Sequence, residues 1–335
     1  DNTMTTPKKP YIRKYAFNDS REKISLLVEI ARAYYEQNHD QASIAQSLGI
    51  STSQVSRYLT QARELDLIQV RVVAPEDHMA TLEERLVNAF PGLQETIVTP
   101  AFHMSDAALR RTIGRAAARY LEQKIRPGAR VCVGSGRSLC EVFNWLKPQN
   151  IPNISIVQAM GNVGHEAMEI DFNEMARSAA EAFQAQVSYM NAPAILGSGK
   201  ATDLVATNPS IKQALEMART ADVYLFGVGS LESDLIFTRW NLIKPEELEQ
   251  LRNIGAVGDI CSRFYDIDGN IIPSALDPRI VGIELGDLAG KALTIAVAGG
   301  KDKVLPLAGA LRGGFIKTLI TDEQTSMSIL DLVHR

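Results

Sequence analysis

The run Gly134-Ser135-Gly136-Arg137-Ser138 follows the apolar Val131-Cys132-Val133 and precedes a helical pattern. That order suits an anion. Small residues let backbone N–H groups approach it, Ser135 and Ser138 add hydroxyl donors, Arg137 adds charge, and the following helix turns its positive end to the same place. The arrangement recurs along the chain. Ile156-Val157 runs into Gln158-Ala159-Met160-Gly161-Asn162, Tyr189-Met190 into Asn191-Ala192-Pro193, and Leu225-Phe226 into Gly227-Val228-Gly229. Ala298-Gly299-Gly300 leads to Lys301-Asp302-Lys303 and another helical pattern, which Lys303 opens. Glycine also serves tight strand-to-helix turns, so one Gly-x-Gly says little. Several polar loops at successive strand ends predict a site for an anionic ligand. Its candidates are Gly134, Ser135, Gly136, Arg137, Ser138, Gln158, Gly161, Asn191, Gly227, Gly229 and Lys303.

A second set of hydrogen-bonding side chains lies near the N-terminus. Ser51, Thr52, Ser53, Gln54, Ser56, Arg57 and Gln61 fall on one face of a helix spanning Thr52 to Leu65, with Ser51 as its N-cap. Val55, Leu59 and Ala62 occupy the other face. Ala45 is small enough for a preceding helix, Gln41 to Leu48, to approach closely, and Gly49 supplies the turn between them. This is the spacing of a helix-turn-helix, whose second helix reads the major groove of double-stranded DNA. Gln54 and Arg57 are placed for base edges or phosphates, and the serines for backbone oxygens. Polar helix faces are common, so the argument rests on the whole pattern and not on any one residue.

The elements that must hold these residues follow from periodicity. Ile24, Leu27, Ile30, Ala31 and Tyr34 recur as one face of a first amphipathic helix. Leu67–Val73 alternates as a short strand, a wing remnant or the exit from the domain. Pro75-Glu76-Asp77 marks a hinge, and a helix from Met79 to Phe90 packs on its own domain or serves dimerisation. Beyond it, strand-like runs (Glu95–Val98, Arg130–Val133, Ile154–Gln158, Gln186–Met190, Val223–Phe226, Leu293–Val297, Thr318–Ile320) alternate with helical patterns (Asp106–Ile125, Asn173–Phe183, Ile211–Arg219, Pro245–Arg252, Lys303–Leu311). Apolar strands alternating with helices predict a mostly parallel sheet covered on both faces, which binds ligands outside the carboxyl ends of its strands. The expected division is a disordered N-terminus at 1–20, a helix-turn-helix domain at 21–75, a linker helix at 76–92, and an effector-binding and oligomerisation domain at 93–335.

Bulk properties agree. A chain of 335 residues exceeds one core of ordinary size. With 45% hydrophobic and 22% charged residues it reads as a globular protein, without the ~20-residue apolar run of a membrane span. No signal-peptide core and three cysteines, Cys132, Cys140 and Cys261, without metal-ligand spacing point to a reducing cytoplasm and to no metal or cofactor. The net charge of −4 conceals an asymmetry: residues 1–73 hold ten Lys/Arg against eight Asp/Glu, whereas the remainder is acidic.

On these residues the chain resembles the SorC/DeoR-type sugar-binding transcriptional regulators, over nearly its whole length, from about Lys23 to Asp331. The resemblance is carried by Ala45-Gln46-Ser47-Leu48-Gly49 with Ser53-Gln54-Val55-Ser56-Arg57, by Gly134–Ser138, Ala192-Pro193, Gly227-Val228-Gly229 and Gly255-Ala256-Val257-Gly258-Asp259-Ile260. It continues through Phe264-Tyr265-Asp266-Ile267-Asp268-Gly269, Ala298–Lys303 and Leu319-Ile320-Thr321-Asp322-Glu323. It implies a Rossmann-like α/β domain similar to ribose-phosphate isomerases and glucosamine-phosphate deaminases, serving as a sensor. It further implies that Gly134–Ser138 holds a phosphate, that Asp259 accepts hydrogen bonds from sugar hydroxyls, and that Lys303 binds phosphate or, in some members, an aldehyde carbon. Gln158 and Asn191 become hydroxyl partners. Arg137 stands where several relatives have a small residue or Thr, and either strengthens phosphate binding or folds back onto a carboxylate.

The expectation is therefore a homo-oligomeric repressor that releases operator DNA when a sugar or sugar phosphate binds. Two alternatives stand beside it. One is a sugar-phosphate isomerase or deaminase, which needs a general base that only Asp259 or His165 offers. The other is an activator or constitutive DNA binder with no ligand.

Overall fold

The computed structural model describes residues 20–37, 39–65, 67–68, 76–101, 104–162, 171–232, 243–291 and 293–333. The expected disordered N-terminus, most of the Leu67–Val73 strand, Pro75 and His165 lie outside them. The chain divides into two compact units, Asp1–Val72 and Val73–Arg335.

The smaller unit contains helices α1 (Ser20–Tyr35), α2 (Gln41–Leu48) and α3 (Thr52–Glu64). Asp40 begins α2 by accepting the Ser43 N–H at 2.7 Å, and Gly49 ends it with φ +64°, a conformation that costs glycine nothing. Ile30, Ile44, Ala45, Val55 and Leu59 are buried together, and Leu27, Ala31 and Ala62 close the other side.

The larger unit is built on seven parallel strands in the order β1-β10-β9-β5-β2-β3-β4. In chain order they are β1 (Glu95–Thr99), β2 (Arg130–Val133), β3 (Ser155–Gln158), β4 (Gln186–Ser188), β5 (Val223–Phe226), β9 (Leu293–Val297) and β10 (Thr318–Asp322). These are the seven runs read from the sequence, with ends shifted by at most two residues. Three further strands, β6 (Gly229–Ser230), β7 (Ala256–Ile260) and β8 (Arg263–Asp266), form a small antiparallel sheet that the sequence reading did not anticipate.

Period-two alternation splits the core between the sheet's faces. Val131, Val133, Val223, Leu225, Ile295 and Val297 pack with α5 (Asp106–Lys124), α6 (Arg137–Trp145) and α7 (Phe172–Phe183). Cys132, Val157, Tyr224, Phe226, Ala296 and Ala298 belong to the opposite core. That core also takes in α4 (Glu76–Ala89), α9 (Pro209–Arg219), α10 (Pro245–Asn253), α11 (Leu285–Leu288), α12 (Val304–Arg312) and α13 (Glu323–Val333), whereas α8 (Ala201–Thr207) packs on α9. Leu82 and Leu86 fix α4 in this core beside β1 and α13. The Glu83 carboxylate accepts the Val98 N–H at 2.8 Å, and His78 Nε2 lies 2.9 Å from Glu323 Oε1. No helix among the described residues is long and apolar enough to cross a membrane.

Candidate ligand cleft and recognition helix

The chain runs outward from β2 to β3 and β4, then returns to place β5 on the other side of β2. Loops leaving neighbouring strands diverge at such a reversal, and a crevice opens between them. Here it is a cleft of about 940 Å³ bordered by the loops after β2, β5, β9 and β10.

Ser135, Gly136, Arg137, Ser138, Gly227, Gly229, Asp259 and Lys303 line it. Gly134 lies beneath, where an added Cβ would meet Phe226 at 3.1 Å and Cys261 Sγ at 3.3 Å. The start of α6 carries no side-chain cap, so its N-terminal N–H groups face this end of the cleft without a carboxylate over them. Arg137 is exposed and has no ion pair among the described residues.

Gln158, Gly161 and Asn191, candidates on sequence grounds, are not among the residues that line the cleft. They end β3 and β4, on the far side of β2 from β5, β9 and β10. Gln158 is 4% exposed and fully used: its Oε1 accepts the Met190 N–H at 2.7 Å and its Nε2 donates to Asn173 Oδ1 at 3.0 Å. Gly161 is glycine because a Cβ would fall 2.5 Å from the carbonyl oxygens of Ala192 and Pro193. Asn191 is exposed beside them.

Asp259 stands on β7 opposite Gly229 of β6, and a Cβ on Gly229 would lie 1.8 Å from its Oδ1. Burial pushes this carboxyl up to about 6, against the pull of the Ser262 N–H, which donates to Oδ2 at 3.0 Å, and of the Lys303 charge. It is therefore still ionised at neutral pH, a buried acceptor for hydroxyl donors. Lys303 Nζ lies 3.5 Å from Asp302 Oδ2. The turn joining β7 to β8 is Cys261-Ser262, both in the left-handed region at φ +52° and +66°. Two-residue hairpin turns of this hand favour Asn-Gly or Asp-Gly, and an L-residue with a side chain costs roughly 1–2 kcal/mol there. The absence of that signal is why β7 and β8 were not read from the sequence. Ser262 also lines the cleft, is 0% exposed, and its Oγ has no hydrogen-bond partner among the described residues.

Asp322 and Thr325 line the cleft as well and were not among the candidates. Asp322, 1% exposed, caps α13 by accepting the Thr325 N–H at 2.9 Å and the Thr325 hydroxyl at 2.6 Å. The Gly300 N–H donates to both side chains, at 3.0 and 2.8 Å, and so ties the Gly299–Lys303 loop to α13. An acid ending an apolar strand three residues before Thr was the available signal. Among the described residues no group of His, Cys, Asp and Glu could hold a metal ion.

In the smaller unit, Ser51 Oγ accepts the Gln54 N–H at 3.2 Å and Gln54 Oε1 accepts the Ser51 N–H at 2.9 Å, a reciprocal capping box. Both side chains thus fix the start of α3. Thr52, Ser53, Ser56 and Arg57 remain exposed on its outer face, and Gln61 is half-buried with its Oε1 unpartnered among the described residues.

A protein-family model described as "Putative sugar-binding domain" matches residues 74–331. The deoxyribonucleoside regulator of Bacillus subtilis (strain 168) is 32% identical over 314 residues, 93% of this chain and 99% of that protein. The chain belongs to the SorC/DeoR family of sugar-binding transcriptional regulators. The sorbitol operon regulator of Klebsiella pneumoniae, SorC, is 27% identical over 315 residues, 93% of this chain and 99% of that one. Its full-length crystal structure superposes with a TM-score of 0.73 at 26% identity, covering 94% of this chain and 100% of that chain. A sugar-binding domain of a transcriptional repressor from Vibrio fischeri matches with a TM-score of 0.69 over 76% of this chain. SorC/DeoR membership also answers the enzyme alternative, since the relatives spanning this chain are regulators and not isomerases or deaminases.

Proposed function

We propose that this SorC/DeoR-family regulator is a cytoplasmic repressor of a carbohydrate-catabolic operon, released from its operator by a phosphorylated sugar held in the cleft. The observation that carries the reading is the two-ended chemistry of that cleft. At one end the uncapped start of α6, Ser135, Ser138 and Arg137, which has no ion pair among the described residues, suit a phosphate. Elsewhere on its wall Asp259 suits hydroxyl groups, and Lys303 adds a cation. On this reading residues 21–75 are the DNA reader, 76–92 the linker helix and 93–335 the effector and oligomerisation domain. Ser51, Thr52, Ser53, Gln54, Ser56, Arg57 and Gln61 contribute the operator-facing surface of α3, with Ser51 and Gln54 acting also through the helix cap. Dimers or tetramers set two readers on a pseudo-palindrome.

The test is selection of an operator from genomic fragments, followed by fluorescence anisotropy with and without a panel of sugars and sugar phosphates. Release of the DNA by a phosphorylated sugar is the expected result. Tight DNA binding that no compound alters would remove the sensor role, and tighter binding in the presence of a sugar would reverse the direction of control.

A further inference from the structure

Ser262 is hard to explain as a structural residue. Its backbone sits at φ +66°, where glycine fits and serine is strained, and its hydroxyl is buried without a partner among the described residues. Glycine at this position would avoid both penalties. The Ser262 N–H already holds Asp259 Oδ2 at 3.0 Å, so a glycine would keep that hydrogen bond too. Among the described residues the hydroxyl therefore serves no structural contact. Ser262 and Asp259 both line the cleft, and Gly229, without a Cβ, leaves the Asp259 carboxylate room on the adjoining strand.

We infer that Ser262 is a specificity residue: with Asp259 it reads two adjacent hydroxyl groups of the sugar, Asp259 accepting from one and the Ser262 hydroxyl, turned about its single side-chain torsion, bonding the other. This rests on the sugar-effector reading above and narrows it to sugars that carry a vicinal diol away from their phosphate. An analogue lacking the second hydroxyl leaves the serine as unpartnered as it is in the free protein.

The experiment is calorimetric titration of the full chain, wild type, Ser262→Gly and Ser262→Ala, with ribose 5-phosphate, 2-deoxyribose 5-phosphate, glucose 6-phosphate and 2-deoxyglucose 6-phosphate. Thermal melts of the free proteins accompany it. In at least one pair the wild type is expected to bind the hydroxylated sugar about tenfold more tightly than its deoxy partner, about 1.4 kcal/mol. Ser262→Gly should bring that ratio close to one by weakening only the hydroxylated sugar, while the free protein melts at the same temperature or higher. Ser262→Ala should do the same to the ratio without the gain in melting temperature. Equal loss for both members of a pair, a ratio unchanged in the variants, or a wild type that binds both members equally would overturn the inference while leaving the sugar-effector reading in place. A wild type that binds none of the four overturns the inference, and one that binds no sugar or sugar phosphate of the wider panel overturns the sugar-effector reading as well.

Discussion

Asp259 is a carboxylate of the cleft wall kept at the expense of stability. Its carboxyl is raised from 3.8 to about 6 by burial, so the folded state resists ionising it. The contribution to stability is complete below pH 3.8, declines as pH rises, and is gone once pH passes 6. Asp259→Asn should accordingly raise the stability of the free protein at pH 7.5 by about 2–3 kcal/mol, read as a higher denaturation midpoint, and abolish effector binding in a titration. On the proposed role of Asp259, effector affinity should fall as pH drops below 6, opposite in sign to the stability effect. Gly229→Ala places a methyl group against the Asp259 carboxylate and should destabilise the larger unit by about 1–3 kcal/mol. Part of the cleft's lining was legible: the glycines and hydroxyls after β2 and β5 announce themselves by composition. Gln158 and Asn191 carry an equal signal and serve elsewhere, because a polar residue ending a strand looks the same whether or not its neighbours in the sheet border the cleft.

What the sequence cannot display is strand order, and at the scale of elements this decided which predictions held. Each of the seven parallel strands was visible from its own apolar run, since two-sided burial dictates Val, Ile and Leu locally. The placement of β5 beside β2, which brings Gly227–Gly229 to Ser135–Ser138 and leaves β3 and β4 aside, depends on long-range packing. The β7–β8 hairpin stayed hidden for a local reason, a turn built from Cys261 and Ser262. Helix α3 was readable because its cap, its apolar face and its polar face are all local. Ser51→Ala removes half of the capping box and should cost the smaller unit about 1 kcal/mol, with weaker operator binding, checked by helicity melts and anisotropy. Leu86→Ala in α4 should cost about 2–5 kcal/mol, and because Leu86 is buried among the side chains of the sheet the loss should fall on the larger unit.

For the whole molecule, the net charge of −4 is divided so that the DNA reader does not carry the acidity of the sensor. DNA affinity should then depend on a few local cations rather than on the overall charge. Arg57→Ala is expected to weaken operator binding and to lower the salt slope, measured from anisotropy at several salt concentrations, by about one unit for one lost phosphate contact. The cleft itself is a property of the entire larger unit, since its wall draws residues from Ala101 to Ser328. No fragment holds all of that wall, so the effector binds the folded unit and not partly unfolded chains. At a hundred times its dissociation constant it deepens the native well by about 2.7 kcal/mol, roughly a hundredfold fewer unfolded molecules at any moment. On the proposed function the sugar would then govern how long the regulator survives as well as where it sits: starved of effector, the same chain should spend more time open to proteases and turn over faster. Pulse proteolysis with and without a sugar that binds the cleft should show that difference directly.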